Sequence, residues 1–470
     1  MGGDLPPLRP RARRSSHARR ARTRDHDLTC LPAVSGPDLL RAVIDHPDDD
    51  ARRMVYADWL QQQGDPQGEL IAVQIQLAHA AASERGELEA RAKALLDAHG
   101  DTWISALGDG ISHVTFRRGL PYAACAAVGS ELDAGGESHA LLDVLDRAPI
   151  RDLGFVAQDG DDDDDDEPSS RLAVARDLAA DPRLARVELL ATGVRWGAEG
   201  LAALLGSPHL ANLRGLHIAD PDCQPYAGDA IATARLPRLE LLALNGDWRS
   251  AFGDAGVVAL ARADLPALRD LVLLNLGLGE SAAVALASSP IVAHLSGLDL
   301  GYGSTHPNRI GAVGAAALAG SASFRALRRL ILDYNDIGGD GLAALASSPH
   351  LDALRYLSLR SAAITDDGLR ALAAGRAMPK LELLELSLDG ELTHAGIEAL
   401  AESPRLATLS SLWLRQTGIG PDGARAIARS PHAAGLRSLN LLECKLGDEG
   451  ARALLESPYL AGLTDLQLSG

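Results

Sequence analysis

The sequence predicts an α/β solenoid, a horseshoe whose parallel β-sheet lines the concave wall and whose helices form the convex side, with a small all-α cap domain at its N-terminus. Three observations carry that prediction. A template L-x-x-L-x-L returns at Leu213, Leu239, Leu268, Leu295, Leu327, Leu354, Leu381, Leu409, Leu436 and Leu463, with a valine-containing version, LARVEL, at Leu184. After many of these starts a second phrase recurs, spelled IGGDGLAALASSP at 337–349, IGPDGARAIARSP at 419–431 and LGDEGARALLESP at 446–458. Residues 37–107 lack the template and carry helix signals instead.

The two halves of each unit have different hydrophobic periods. In LRYLSL, Leu357 and Leu359 alternate with polar residues, as on one face of a short strand. In the DDGLRALAAG that follows, Leu369 and Leu372 stand three apart, on one face of a helix. One strand and one helix cannot bury both apolar faces alone, and stacking units side by side buries them in one continuous core. Parallel strands pack ~4.8 Å apart whereas helices need ~10 Å, so the stack bends with the strands inside.

The recurrent phrase is the outward turn into the helix. Asp448 and Glu449 stand at the positive end of a helix dipole. Glycine recurs at one place, as Gly341, Gly368 and Gly423 among others, but Ala282 takes it once; the expectation is therefore close packing and not a positive φ. The final Ser-Pro ends the helix, because a residue before proline avoids the α region.

These units resemble leucine-rich repeats of the ribonuclease-inhibitor-like subfamily. The likeness rests on L-x-x-L-x-L-x-x-N-x-I-G-x-x-G, met most fully from Leu327 to Gly341 with Asn335 in the asparagine place, and covers about residues 180–470. Most units lack that asparagine. About eleven clear repeats are expected from 184 onward. Two weaker ones, ISHVTF at Ile111 and IRDLGF at Ile150, would start the sheet, giving a horseshoe over 109–470.

Ahead of it, Pro37 opens a first helix. PDDDARRMVYADWLQQQGD reads as capping aspartates, a helix with Val55/Trp59 and Tyr56/Leu60 pairs, and a stop at Gly64. Pro66 opens a third helix with Leu70, Val73 and Leu77 on one side, and a fourth runs from about Glu84 to His99. The stretch LLRAVIDHPDDDARRMVYADWLQQQGDPQGELIAVQIQLA is similar to the repeat-companion domain that precedes leucine-rich repeats in some bacterial proteins, most strongly around YADWL and GDPQGELI. The resemblance implies a helical domain over 35–108 and no chemistry. Its structural role would be to cover the first strand's open edge; docking through Asp58 and Trp59 is the alternative.

Charge is unevenly spread. The net charge is −18, yet residues 1–30 carry eight arginines against Asp4, Asp25 and Asp27, so the rest of the chain is strongly acidic. An acidic body excludes non-specific nucleic-acid binding beyond weak contact by the basic tail, and residues 1–34 read as a disordered arm. The run DGDDDDDDE at 159–167, within an acidic loop at 158–168, has Asp164 where an EF-hand loop needs glycine. It reads as a solvated loop, with weak calcium binding or a basic partner as the alternatives.

No stretch has the length of a membrane span. The four cysteines, Cys30, Cys125, Cys223 and Cys444, have no metal or redox spacing, and a reducing, cytoplasmic setting is the expectation. RRSSHARRA is like a twin-arginine signal but lacks the apolar run that must follow.

Catalytic motifs are absent from the sequence. None of the three lysines follows glycine as a P-loop requires, and GYGSTH at Gly301 has histidine in place of a dinucleotide loop's third glycine. There is no H-E-x-x-H, G-x-S-x-G or S-x-x-K. The expectation is no enzyme, no cofactor and no metal.

Residues between the template leucines face the concave wall. Down the middle of the strands they read Glu188, His217, Ala243, Val272, Asp299, Ile331, Ser358, Glu385, Trp413, Asn440 and Gln467, a mixed column suited to recognition. The scarce aromatics Tyr302, Tyr334, Tyr356 and Trp413 fall at or beside this face near Arg329, Arg360 and Arg415, and Tyr, Trp and Arg dominate binding energy at interfaces. These seven are the candidate partner-binding residues. Alanine at Tyr334, Arg360 and Trp413 should abolish capture and leave stability nearly unchanged.

The expected function is a non-catalytic scaffold holding a protein or peptide in the horseshoe. The alternative implied by the resemblance is an enzyme regulator, either an active-site inhibitor or a GTPase activator. The sequence stops just after the strand LTDLQL with no closing helix, so edge-to-edge homodimerisation is a further expectation.

Overall fold

The computed structural model describes residues 35–129, 139–157, 168–219, 223–247, 250–301 and 307–468. The basic tail, the acidic run and Tyr302 lie outside the described residues.

Four helices open the described chain: α1 (Gly36–Asp45), α2 (Asp50–Gln62), α3 (Gln67–His79) and α4 (Arg85–Ser105). Ser35 and Asp38 form a capping box on α1, and Asp49 Oδ1 accepts from the Ala51 and Arg52 amides at the start of α2. Helix α4 runs past the expected His99 because its last turn carries Trp103, buried with its ring 5.9 Å from that of Phe116. Trp59 is half-buried and packs against the core of these helices: it stacks on Tyr56 at 6.2 Å and lies over Gly36.

The segment at Ile111 starts the sheet, but not as a repeat. Strand β1 (Ile111–Arg117) turns back into β2 (Leu120–Val128) as an antiparallel hairpin. Its two-residue turn, Arg118-Gly119, has φ of 53° and 78°, the sign that matches the twist of paired strands. Ile71 of α3 packs on Gly119, Gln74 accepts from the Gly119 amide at 2.8 Å, and α4 packs on β1, so helices flank the edge strand.

From β2 onward every neighbour is parallel and in sequence order: β3 (Asp152–Ala157), β4 (Leu189–Thr192), β5 (Gly215–Ala219), β6 (Leu241–Asn245), β7 (Asp270–Leu274), β8 (Gly297–Asp299), β9 (Arg329–Ile331), β10 (Tyr356–Ser358), β11 (Leu383–Glu385), β12 (Ser411–Trp413), β13 (Ser438–Leu441) and β14 (Asp465–Leu468). Successive helices pack on one another along the other side. This is an open leucine-rich-repeat horseshoe, with the sheet concave and the helices convex. Strand leucines such as Leu330, Leu357 and Leu384 and helix leucines such as Leu342, Leu345 and Leu369 are at most 1% exposed in one shared core.

One register differs from expectation. Leu190, not Val187, pairs with Leu216, so the β4 template starts at Val187 as VELLAT and its middle residue is Ala191. Leu184 belongs to the 3-10 turn Pro182–Arg186, matching Leu210 of the turn Pro208–Asn212 in the next repeat. That turn places its own leucine three residues before the template, which mimics the template's spacing. Glu188 thus sits before the strand, where it meets Arg151.

The recurrent phrase holds two glycines with separate tasks. Gly338 has φ 67° and open space where a Cβ would stand, so its backbone requires glycine. Gly341 has an ordinary φ, but a Cβ there would lie 2.6 Å from Ile337 Cγ2 and 3.3 Å from Ala312 Cα of the preceding helix. The expected close packing is the reason for that glycine.

The Ser-Pro ending does more than stop a helix. Ser348 Oγ donates to the Ala319 carbonyl of the previous repeat at 2.6 Å and accepts from the His350 amide at 3.1 Å. Ser207, Ser289, Ser321, Ser403, Ser430 and Ser457 donate in the same way, to Ala179, Ala261, Ala287, Ala373, Ala401 and Ala428. These seven serines therefore form a ladder that ties their repeats to the ones before them.

Candidate protein-binding surface

The sheet's open face is divided. Over β2–β7 the middle residues are small or apolar apart from His217: Cys125, Gly154, Ala191, Ala243 and Val272 stand in register. From β8 onward they become Asp299, Ile331, Ser358, Glu385, Trp413, Asn440 and Gln467, as the pairing confirms. Polarity enters where the candidate residues lie.

Arg329 on β9 is exposed and reaches across β8 to Asp270 on β7, Nη2 to Oδ1 3.0 Å. Gly297 lies between them, and a Cβ there would stand 2.1 Å from the Asp270 oxygen. Tyr334 follows β9 with φ 60°, and the Arg360 guanidinium sits 5.6 Å from its ring centroid. Arg360 Nη2 is also 3.4 Å from Asp333 Oδ2. Tyr356 is half-buried on β10, and burial raises its phenol above the ordinary value. These groups, with Ser358 and Glu385, form one cluster.

Trp413 stands one strand further on, half-buried, with Nε1 donating to Ser438 Oγ at 3.2 Å; Ser438 Oγ donates in turn to Asp465 at 2.9 Å. Arg415 is exposed and pairs with Glu443 at 2.9 Å. Both reach the same open face, beside the cluster rather than in it.

Of the carboxylates that organise this cluster, sequence reasoning placed Asp299 and Glu385 on the face without singling them out and missed Asp333. Asp333 is 7% exposed, accepting from Ser358 Oγ at 2.5 Å and the Arg360 amide at 3.0 Å. Asp299 accepts from the Gly301 amide at 2.9 Å, and burial, with Asp333 adding to it, holds its carboxyl above the usual carboxylate range. Glu385 is raised for the same two reasons. Asp333 was legible in principle: the first residue past the template's last leucine again faces outward, as do Arg360 and Arg415.

A pocket of about 650 Å³ lies at the other end of the molecule, between α1 and the leading ends of the early strands, lined by Arg151, Arg186, Arg214 and Arg238 with Asp45, Glu188 and Glu240. Arg214 is paired with Glu240, Arg151 with Glu188 and Arg238 with Asn212. Among the described residues, no group of three His, Cys, Asp or Glu side chains is placed to hold a metal ion. Among them too, no helix is long and apolar enough to cross a membrane.

Three segments, 325–346, 353–373 and 436–455, match the family model described as Leucine Rich repeat. The solenoid is built of leucine-rich repeats. No curated protein sequence matches the chain. Similar solved structures include an internalin, InlF, from Listeria monocytogenes, 16% identical, covering 74% of this chain and 87% of its own with a TM-score of 0.41. The yeast Rad7–Elc1 complex contains a chain 16% identical, with coverage of 70% and 83% and a TM-score of 0.36. A protein from Bacteroides fragilis is 15% identical, with coverage of 63% and 69% and a TM-score of 0.31.

Proposed function

We propose that this protein is a non-catalytic, cytoplasmic scaffold that holds a protein or peptide partner against the open face of the sheet from β9 to β13. Tyr334, Tyr356 and Trp413 supply the aromatic contacts, and Arg329, Arg360 and Arg415 the charged ones. The observation that carries this reading is the divided wall. Tyr334, Tyr356 and Trp413 share one half with the charged cluster, while the other half has small or apolar middle residues apart from His217 and one aromatic–arginine pair at its edge, Tyr122 with Arg117 4.9 Å from its ring centroid. Aromatic and arginine anchors ringed by polar groups are the composition of an interface centre. In this reading the 35–108 helices act as a cap domain of the repeat-companion kind, protecting the β1 edge, and the solenoid is of the ribonuclease-inhibitor-like subfamily in a bacterial protein, which the repeat length supports.

The test is parallel affinity capture from native lysate with the wild-type chain, a Tyr334→Ala/Trp413→Ala variant and a convex-side control, Val284→Ser. Val284 is 46% exposed on the helix side. A protein retained by wild type and control and lost by the double variant supports the surface. Identical retention by all three overturns it.

A further inference from the structure

In some repeats the residue three places after the last leucine of the template is a rung to the repeat before, and Asp389 fills that place with a carboxyl group. Where asparagine stands, the rung is complete. Asn335 Oδ1 accepts from the Ile310 amide at 3.1 Å, while Nδ2 donates to the carbonyls of Leu300, in the previous repeat, and Asp333 at 2.8 and 3.0 Å. Asn308, eight residues after Leu300, does the same: Oδ1 accepts from the Leu276 and Leu278 amides, and Nδ2 donates to the Leu273 and Leu300 carbonyls. Cys444 keeps the donating half, its thiol 2.9 Å from the Leu414 carbonyl.

Asp389 keeps the accepting half. It is 3% exposed, and its Oδ1 accepts from the Ile364 amide at 3.2 Å. Its Oδ2 takes the place of the amide nitrogen, buried and met by no donor. By repeat position the carbonyl awaiting a donor there is that of Leu359, the counterpart of Leu300. A carboxylate oxygen facing a carbonyl oxygen is repelled in a low-dielectric interior, whereas a protonated carboxyl donates to it.

We propose that Asp389 is a protonated rung, its Oδ2–H donating to the Leu359 carbonyl, and that its ionisation loosens the joint between the β10 and β11 repeats, making the concave wall at Ser358 and Glu385 sensitive to pH. The charged groups of the repeats packed around it are Asp333, Arg360 and Asp366 from preceding repeats, Glu385 on β11 of its own repeat and Arg415 just past β12 in the next. Burial pushes the Asp389 carboxyl up to about 7, and Asp333 adds to the rise, against the backbone amides that favour the charged form. The rung is therefore intact below the neutral range and lost as pH rises through it.

The experiment follows amide exchange by mass spectrometry on the full chain from about pH 5.5 to pH 8.5, corrected for intrinsic rates, with thermal melts alongside. Asp389→Asn supplies the missing donor with little change of shape. The wild type should lose about tenfold in protection of the peptide containing Ile364 at about pH 8 relative to D389N, a one-unit excursion above the carboxyl's value. D389N should match wild type in protection at about pH 5.5, while its advantage in the melts should grow from about pH 4 up to neutrality and then level off. Wild-type protection at Ile364 that does not change across the range overturns the proposal by itself. So do parallel pH profiles of the two chains.

Discussion

Ser358 on β10 donates its hydroxyl to Asp333 Oδ1 at 2.5 Å, and the Arg360 guanidinium lies 3.4 Å from the other oxygen of the same carboxylate. Arg360 therefore holds the sheet together as well as facing outward, which corrects the expectation that its removal is neutral. Arg360→Ala leaves a carboxylate that is 7% exposed with hydrogen bonds but no countercharge. Breaking a fully buried pair costs about 3–5 kcal/mol; with the Arg360 side chain 35% exposed, solvent screening reduces the expected loss to about 1–2 kcal/mol. Adding Asp333→Asn should recover most of it in denaturant titration. Loss of binding by R360A alone thus reports on folding and recognition together, which is why the capture variant spares Arg360.

The raised carboxyls give a second prediction with a definite sign. Glu385 and Asp299 hold their protons more tightly folded than unfolded, chiefly through burial. The unfolded chain then releases those protons first as pH rises, so the stability present at acid pH is lost through the raised folded values. Glu385→Gln removes that loss. The variant should melt above the wild type at about pH 7 and level with it at about pH 3.5, and a gain of equal size at both would refute the assignment.

What the sequence made legible follows from periodicity. Alternating leucines set strand positions and i, i+3 leucines set helices, because burial of one face is a property of spacing. The β4 register was misread because the 3-10 turn places Leu184 three residues before Val187, so two overlapping motifs compete and only pairing with Leu216 decides. The β1–β2 hairpin was missed because its turn is Arg118-Gly119 rather than an Asn-Gly signal, and a single apolar hexad at Ile111 has no direction. The anchors Tyr334, Arg360 and Trp413 were visible as rare residue types on a known face. Asp299 was placed on that face without its role, and Asp333 and Asp389 were not singled out, because their significance lies in burial and in partners about a repeat away.

Two glycines three residues apart should respond differently to the same substitution. Gly338→Ala places a Cβ in open space on a backbone with φ 67°, and should cost about 1 kcal/mol from conformation alone. Gly338→Asn should cost less, since asparagine tolerates that region. Gly341→Ala meets Ile337 at 2.6 Å and the Ala312 backbone at 3.3 Å, and overpacking of this kind costs about 1–3 kcal/mol. Gly341→Asn, larger still, should cost more than alanine. Equilibrium unfolding of the four variants checks the crossed order, and the same ranking at both positions would contradict the division of labour.

The serine ladder makes the last prediction. Ser348 is 5% exposed and bonds both the Ala319 carbonyl of the preceding repeat and the His350 amide of its own turn. Ser348→Ala removes both bonds at once and should cost about 1–2 kcal/mol, as for a buried cap. Its neighbour Ser347 is exposed and returns its hydroxyl to Ala343 within the same helix, so Ser347→Ala should be neutral or slightly stabilising through helix propensity. Each buried serine spans a repeat boundary, so its loss weakens the coupling between repeats and not one repeat's own stability. Ser348→Ala should therefore broaden the unfolding transition, whereas a loss of equal size inside a repeat would move the midpoint at unchanged slope. A sharp, shifted transition for S348A would show that the rungs do not carry cooperativity along the horseshoe.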